Sequence, residues 1–146
     1  MRIADLEGSL TYIDANILIY AVEGYPIFAD VLAAFMDGVE RGELRVVSSE
    51  LTLSEALVRP LRQQDSTVAA VYRSLLSVTG AIDPTPVTRA VLLRAAEVRA
   101  EVGGKLPDAI HAATAELTGC RRLLTADTRF KAPPDIPVVL LQDLAL

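Results

Sequence analysis

Apolar residues along the chain fall into short runs separated by stretches with helical spacing. Leu10-Thr11-Tyr12-Ile13 is β-branched and aromatic and predicts a buried strand. Asp14-Ala15-Asn16 leads from it into a short helix over 17–21, broken between Gly24 and Pro26. Phe28, Val31, Leu32, Phe35, Met36 and Val39 recur at three- and four-residue steps. That spacing predicts an amphipathic helix opened by Pro26 and stopping near Gly42. Arg45-Val46-Val47 reads as a second strand, and residues 50–63 as a helix that Pro60 bends or ends. Residues 67–77 predict another helix, with Val68, Val71, Tyr72, Leu75 and Leu76 inward. Ala81-Ile82, before Pro84, is a weak third strand. Residues 87–102 form a helix ended by Gly103-Gly104, and Pro107 starts one that reaches Gly119. Residues 121–125 and 137–141 are the last strands.

Strands alternating with helices argue for one α/β domain spanning 1–146, a sandwich around a mostly parallel sheet. In such sheets the functional crevice lies beyond the carboxyl ends of the strands.

Composition narrows the chemistry. The chain is 51% hydrophobic and 23% charged, which excludes a disordered polyampholyte. Lys+Arg 14 against Asp+Glu 19 leaves −5, so a passive cationic nucleic-acid binder is excluded. Contact with nucleic acid requires the carboxylates to be neutralised first. Cys120 is the only cysteine and His111 the only histidine. These counts exclude an internal disulfide, a Cys-based zinc cage and a His-rich metal site. No apolar run approaches a membrane span, and residues 1–8 lack the apolar core of a signal peptide, so the expected location is the cytoplasm.

Each of four acids has an ordinary explanation. Asp14 can cap the helix that follows it. Glu55 closes a capping box, Thr52-Leu53-Ser54-Glu55, if its helix starts late; if the helix starts near Glu50, it shares an apolar row with Leu51 and Val58. Asp108, in the first turn after Pro107, complements the helix dipole, typically by ~0.3–1 kcal/mol. Its row continues through Ala112 and Ala115, small enough for close packing. Asp127 can cap the Thr128-Arg129-Phe130 turn. Taken together, Asp14 and Asp127 end strands, while Glu55 and Asp108 lie near helix starts. All four therefore belong to the same edge of a parallel sheet and can converge. Two bare carboxylates roughly 4 Å apart repel by ~4 kcal/mol at an effective dielectric of about 20. Convergence demands bound protons or a divalent cation, and oxygen ligands favour Mg²⁺ or Mn²⁺ over zinc.

Four stretches carry a resemblance. They are Tyr12-Ile13-Asp14-Ala15-Asn16-Ile17-Leu18-Ile19-Tyr20, Ser49-Glu50-Leu51-Thr52-Leu53-Ser54-Glu55, Leu106-Pro107-Asp108-Ala109-Ile110-His111-Ala112-Ala113-Thr114-Ala115 and Leu123-Leu124-Thr125-Ala126-Asp127-Thr128-Arg129-Phe130. In order and spacing the chain resembles the PIN-domain ribonucleases, and within them the VapC-like toxins of toxin–antitoxin pairs. The resemblance implies a PIN-like three-layer sandwich and metal-binding catalytic acids at Asp14, Glu55, Asp108 and Asp127. It implies supporting roles for Asn16 and Thr125, Mg²⁺ (or Mn²⁺) as cofactor, an RNA substrate, a cognate antitoxin and a homodimer. Arg59, Arg62, Lys105, Arg129 and Lys131 are the candidate substrate-positioning cations, being close to the acidic motifs in sequence. With 5% aromatic residues the chain has little means of stacking bases, so a structured RNA is expected rather than long single strands. His111 is read as a helix-surface or packing residue and Cys120 as a buried structural thiol.

Other functions remain open from sequence. One is a PIN-type nuclease in RNA processing without a toxin role. Another is a haloacid-dehalogenase-type phosphohydrolase, which needs a second acid where Asn16 stands. A third is a non-catalytic module that uses the apolar helix at 28–39 to dimerise.

Overall fold

Strand β1 (Leu10–Ile13) lies at the centre of a five-stranded sheet in the computed structural model, which describes residues 1–146. Its neighbours are β2 (Arg45–Ser49) and β4 (Arg122–Thr125); β3 (Asp83–Thr85) and β5 (Val138–Leu140) form the edges, giving the order β3-β2-β1-β4-β5. Every pairing is parallel, with Tyr12 opposite Val47 on one side and Leu123 on the other. A parallel sheet is covered on both faces, which explains why its central strands read as unbroken apolar runs.

Successive residues feed opposite faces. Ile13, Val46 and Leu124 enter the larger core, while Tyr12, Val47 and Leu123 enter a smaller one behind the sheet. The larger core is closed by α1 (Ala15–Glu23), α2 (Ala29–Glu40), α3 (Glu50–Arg62) and α4 (Ser66–Leu75), through Ile17, Leu18, Leu32, Phe35, Ala56 and Tyr72. On the other face lies α6 (Leu106–Leu117), backed by α5 (Arg89–Val102). Ala109, Ala112, Ala113 and Ala115 are all buried, so α6 is gripped between α5 and the sheet at close range. Arg94 on α5 clamps the pair, donating from Nε and Nη2 to the two carboxylate oxygens of Glu116 at 3.0 and 3.2 Å. The result is the three-layer sandwich expected.

Helix starts follow from local chemistry. Asp14, Ser49, Asp65 and Thr88 each accept a backbone N–H from the first turn of α1, α3, α4 and α5. Because α6 returns to feed β4, its N-terminus stands at the edge where the strands end.

Three expectations are corrected. The third strand is Asp83–Thr85 rather than Ala81-Ile82, with Pro84 tolerated because β3 is an edge. Ile82 instead bridges Leu76 and is fully buried in the larger core. Val71 faces outward, 38% exposed, because α4 turns Ala69 and Tyr72 inward. The helix expected from Pro26 begins as a separate 3-10 turn, Pro26–Phe28, and α2 buries Leu32, Phe35 and Val39 in the core. Phe28, Val31 and Met36 stay only half-buried beside it, and Ile27 is 78% exposed. No single helix is long and apolar enough to cross a membrane.

Candidate active site

The chain leaves β1 directly into the cap of α1, and this turn fixes Asp14. Its Oδ1 accepts the Ile17 N–H at 3.3 Å, and its Oδ2 accepts the Thr125 hydroxyl at 2.5 Å. Thr125 ends β4, next to β1, and its Oγ1 also accepts the Asp127 N–H at 3.1 Å. Asp127 in turn accepts the Arg129 N–H at 2.8 Å through Oδ1, the cap expected of it. Asp14 and Asp127 thus share Thr125 as a common hydrogen-bonding partner.

Helix α3 starts at Glu50 with Ser49 as its cap, so Glu55 is not part of a capping box. It lies on the body of the helix, half-buried, and its Oε1 stands 2.7 Å from His111 Nε2. Asp108 is the third residue of α6, half-buried at the helix start.

Electrostatics tie the four together. Burial pushes the Asp14 carboxyl above the usual carboxylate range; the Thr125 hydroxyl, His111 and the Ile17 N–H oppose this, and the Asp108 charge adds to it. Burial likewise raises Asp108, followed by repulsion from Asp127; His111 and Lys105 oppose the rise and Glu55 reinforces it. Asp108 therefore lies within the field of the other three acids. In the side-chain conformations present, no three acidic, imidazole or thiol groups meet at ligating distance of one point. The fold gathers the carboxylates into one neighbourhood without closing them into a ready-made cluster.

The donor set still fits a hard divalent cation. It is all carboxylate oxygen, and Cys120 is away from it, buried in the smaller core behind the sheet. Asp14 and Asp108 are the groups whose ionisation the protein disfavours, and a cation offsets that. Asn16 is exposed in the first turn of α1 and its side chain bonds to none of the acids.

Among the candidate cations, Lys131 lies along the Gly103-Gly104 turn that precedes α6. Both glycines have positive φ, 77° and 89°, and a Cβ at either position would sit 3.6 Å from the lysine side chain. Lys105 is felt by Asp108. Arg59 is drawn to Glu23 instead, at 3.6 Å. Arg122 is buried and donates to Ser9 Oγ at 3.1 Å, a structural role.

Of the two readings of His111, helix surface and packing, the second holds: it is buried, and the sequence did not give its partners, the Tyr12 hydroxyl 2.6 Å from Nδ1 and Glu55 at Nε2. A signal was present: Tyr12 alternates with Ile13 onto the α6 side of the sheet, and His111 stands one turn from Asp108.

The family model for the PIN domain matches residues 11–135. The chain belongs to the PIN-domain family. That span includes all four acids, and membership displaces the haloacid-dehalogenase-type expectation. This PIN domain is similar to several solved structures. One is a toxin–antitoxin complex from Klebsiella pneumoniae, at 24% identity over 90% of this chain and 97% of that one, TM-score 0.66. Another is FitAcB from Neisseria gonorrhoeae, at 19% identity over 92% and 99%, TM-score 0.69. A third is VapC20 of Mycobacterium tuberculosis, described as a Sarcin-Ricin loop cleaving toxin, at 15% identity over 82% and 92%, TM-score 0.62. At these identities the shared property is the fold. No functionally curated protein matches the sequence.

Proposed function

We propose that this PIN domain is a divalent-metal-dependent endoribonuclease and the toxin of a toxin–antitoxin pair. What supports this is the position of Asp14, Glu55, Asp108 and Asp127 near the ends of the strands, with the ionised forms of Asp14 and Asp108 disfavoured first by burial and then by neighbouring carboxylates, Asp108 acting on Asp14 and Asp127 and Glu55 on Asp108. Such a site stores a demand for positive charge, which a metal–phosphodiester complex meets.

Asp14 and Asp108 would hold Mg²⁺ or Mn²⁺, with Glu55 and Asp127 completing its surroundings. When bound, the ion would neutralise the scissile phosphate and lower the pKa of an attacking water. The chain's own residues do the positioning. Thr125 and the Ile17 N–H each occupy one lone pair on an Asp14 oxygen, which fixes the carboxylate plane and leaves further lone pairs free. Thr125 couples that plane to the backbone of Asp127. Lys105 and Lys131 would steer the RNA backbone to the acidic edge. The products expected are a 5′-phosphate and a 3′-hydroxyl. A structured RNA is the substrate class favoured by the scarcity of aromatic residues. A cognate antitoxin, a homodimeric state and a cytoplasmic location belong to the same proposal; the Klebsiella relative is itself a toxin–antitoxin complex.

The test is sequencing of RNA 5′ ends after induction, with growth followed in parallel. Growth arrest and discrete new 5′-phosphate ends, both lost with Asp14→Asn and in vitro with EDTA, are expected. Cleavage undiminished in EDTA or in Asp14→Asn overturns the assignment. Cleavage without growth arrest points to RNA processing instead.

A further inference from the structure

Three elements contribute to one chain of hydrogen bonds, of which the mechanism above uses only the outer end, Glu55. Tyr12 on β1 is wholly inaccessible, and its hydroxyl lies 2.6 Å from Nδ1 of His111 on α6. The Nε2 of that ring lies 2.7 Å from Oε1 of Glu55 on α3. His111 is 2% exposed, whereas the Glu55 side chain is 34% exposed, so the chain runs from the core out to the acidic edge.

Donor and acceptor chemistry orders it. An ionised carboxylate only accepts, so His111 donates from Nε2–H. In the neutral ring Nδ1 is then the acceptor, and Tyr12 donates its O–H into it. Burial holds the Tyr12 phenol far above its ordinary ionisation range, which keeps it a donor. With both nitrogens engaged, neither the tautomer nor the ring orientation of His111 is free.

We propose that His111 is a positioning residue for the nuclease reaction: locked by Tyr12, it takes Oε1 of Glu55 and leaves Oε2 as the oxygen that Glu55 offers to the cleft. This rests on the function proposed above. A buried ring needs a partner at each nitrogen in any case; what marks this one is that its outer partner, Glu55, belongs to the acidic site. Groups that orient a ligating side chain from behind typically change activity or metal affinity by about 10–100-fold when removed.

His111 is the only histidine in the chain, so its ring nitrogens give isolated ¹⁵N signals without assignment. In its neutral form the wild-type ring is expected to be the Nε2–H tautomer, and that of Tyr12→Phe a mixture of tautomers. In cleavage assays His111→Ala should lower kcat by about tenfold or more with KM for RNA unchanged, and His111→Gln, which keeps an N–H donor, should recover part of the loss. Tyr12→Phe keeps the packing and tests the lock if His111→Ala fails to fold; kcat should fall several-fold. An Nδ1–H ring in wild type overturns the proposal. So does a folded His111→Ala with wild-type kcat, or a loss that Gln and Ala share equally, or a Tyr12→Phe that changes neither tautomer nor kcat. A wild type that cleaves no RNA in Mg²⁺ sinks the nuclease reading instead, while the tautomer measurement still decides the hydrogen-bond order.

Discussion

Replacing Thr125 by valine removes one oxygen and keeps the shape of the side chain. In the native protein that oxygen donates to Asp14 at 2.5 Å and accepts from the Asp127 N–H at 3.1 Å. A hydrogen bond to a charged group contributes ~1.5–3 kcal/mol and a neutral one ~0.5–1.5 kcal/mol. Thr125→Val should therefore cost ~2–4 kcal/mol at neutral pH, or about 5–15 °C in Tm for a chain of this size. The loss should depend on pH, and its sign follows from linkage. The Thr125 bond is the largest influence opposing the burial-driven rise of the Asp14 pKa, so without it that pKa climbs further. A carboxyl whose folded pKa lies above its unfolded value near 4 stabilises the fold most below that value, and this stability drains as pH rises through the folded pKa. As pH falls Asp14 becomes protonated in both variants, the bond becomes a neutral one, and the deficit should shrink toward ~1–3 kcal/mol. Urea denaturation in EDTA at about pH 4 and about pH 8 measures both deficits. Equal deficits at the two pH values, or one below about 1 kcal/mol at the higher, refute the idea that Thr125 supports an ionised Asp14. Thr125→Ser keeps the hydroxyl and should show no such pH dependence.

The raised pKa values of Asp14 and Asp108 predict that the metal-free protein loses stability from these groups as pH rises above about 4; Asp14→Asn should weaken that dependence in thermal melts. Mg²⁺ at about 100 times its Kd should stabilise wild type by ~2.7 kcal/mol at neutral pH and leave Asp14→Asn unmoved, as read by Tm. Ala113→Leu, at a position with no exposure inside the α5–α6–sheet stack, should destabilise by ~1–3 kcal/mol in urea; an unchanged midpoint means α6 is not tightly held. Lys131→Glu should raise KM for RNA, most at low salt, without altering Mg²⁺ binding by calorimetry, whereas Lys105→Glu should raise KM and also shift Mg²⁺ binding through Asp108.

Element types are readable in this chain because strand and helix carry their own periodicities. Leu10-Thr11-Tyr12-Ile13 and the three- and four-residue steps of 28–39 announce themselves locally. The third strand does not: Asp83–Thr85 is extended because β2 pairs with it, and nothing in Asp-Pro-Thr itself asks for a strand. Asp14 and Asp127 are readable as candidates because each follows a strand, and Asp108 because it follows Pro107 at a helix start. The partners that define them are not. Thr125 reaches Asp14 across 111 positions, and His111 reaches Tyr12 across 99, through pairings that only the folded sheet creates. The same limit applies to Glu55, whose two sequence readings differ only in where α3 begins.

The strand order has a consequence for the order of events during synthesis. β1 is made early, yet it is flanked in the finished sheet by β4, which contributes Thr125 from near the far end of the chain. Contacts that span most of a polypeptide form late. A ribosome carrying only the first two-thirds of this protein exposes Asp14 without the hydroxyl that orients it and without the adjoining Asp127. The candidate site is thus assembled only after β4 has been made, and every product that ends before it lacks the contact that holds Asp14.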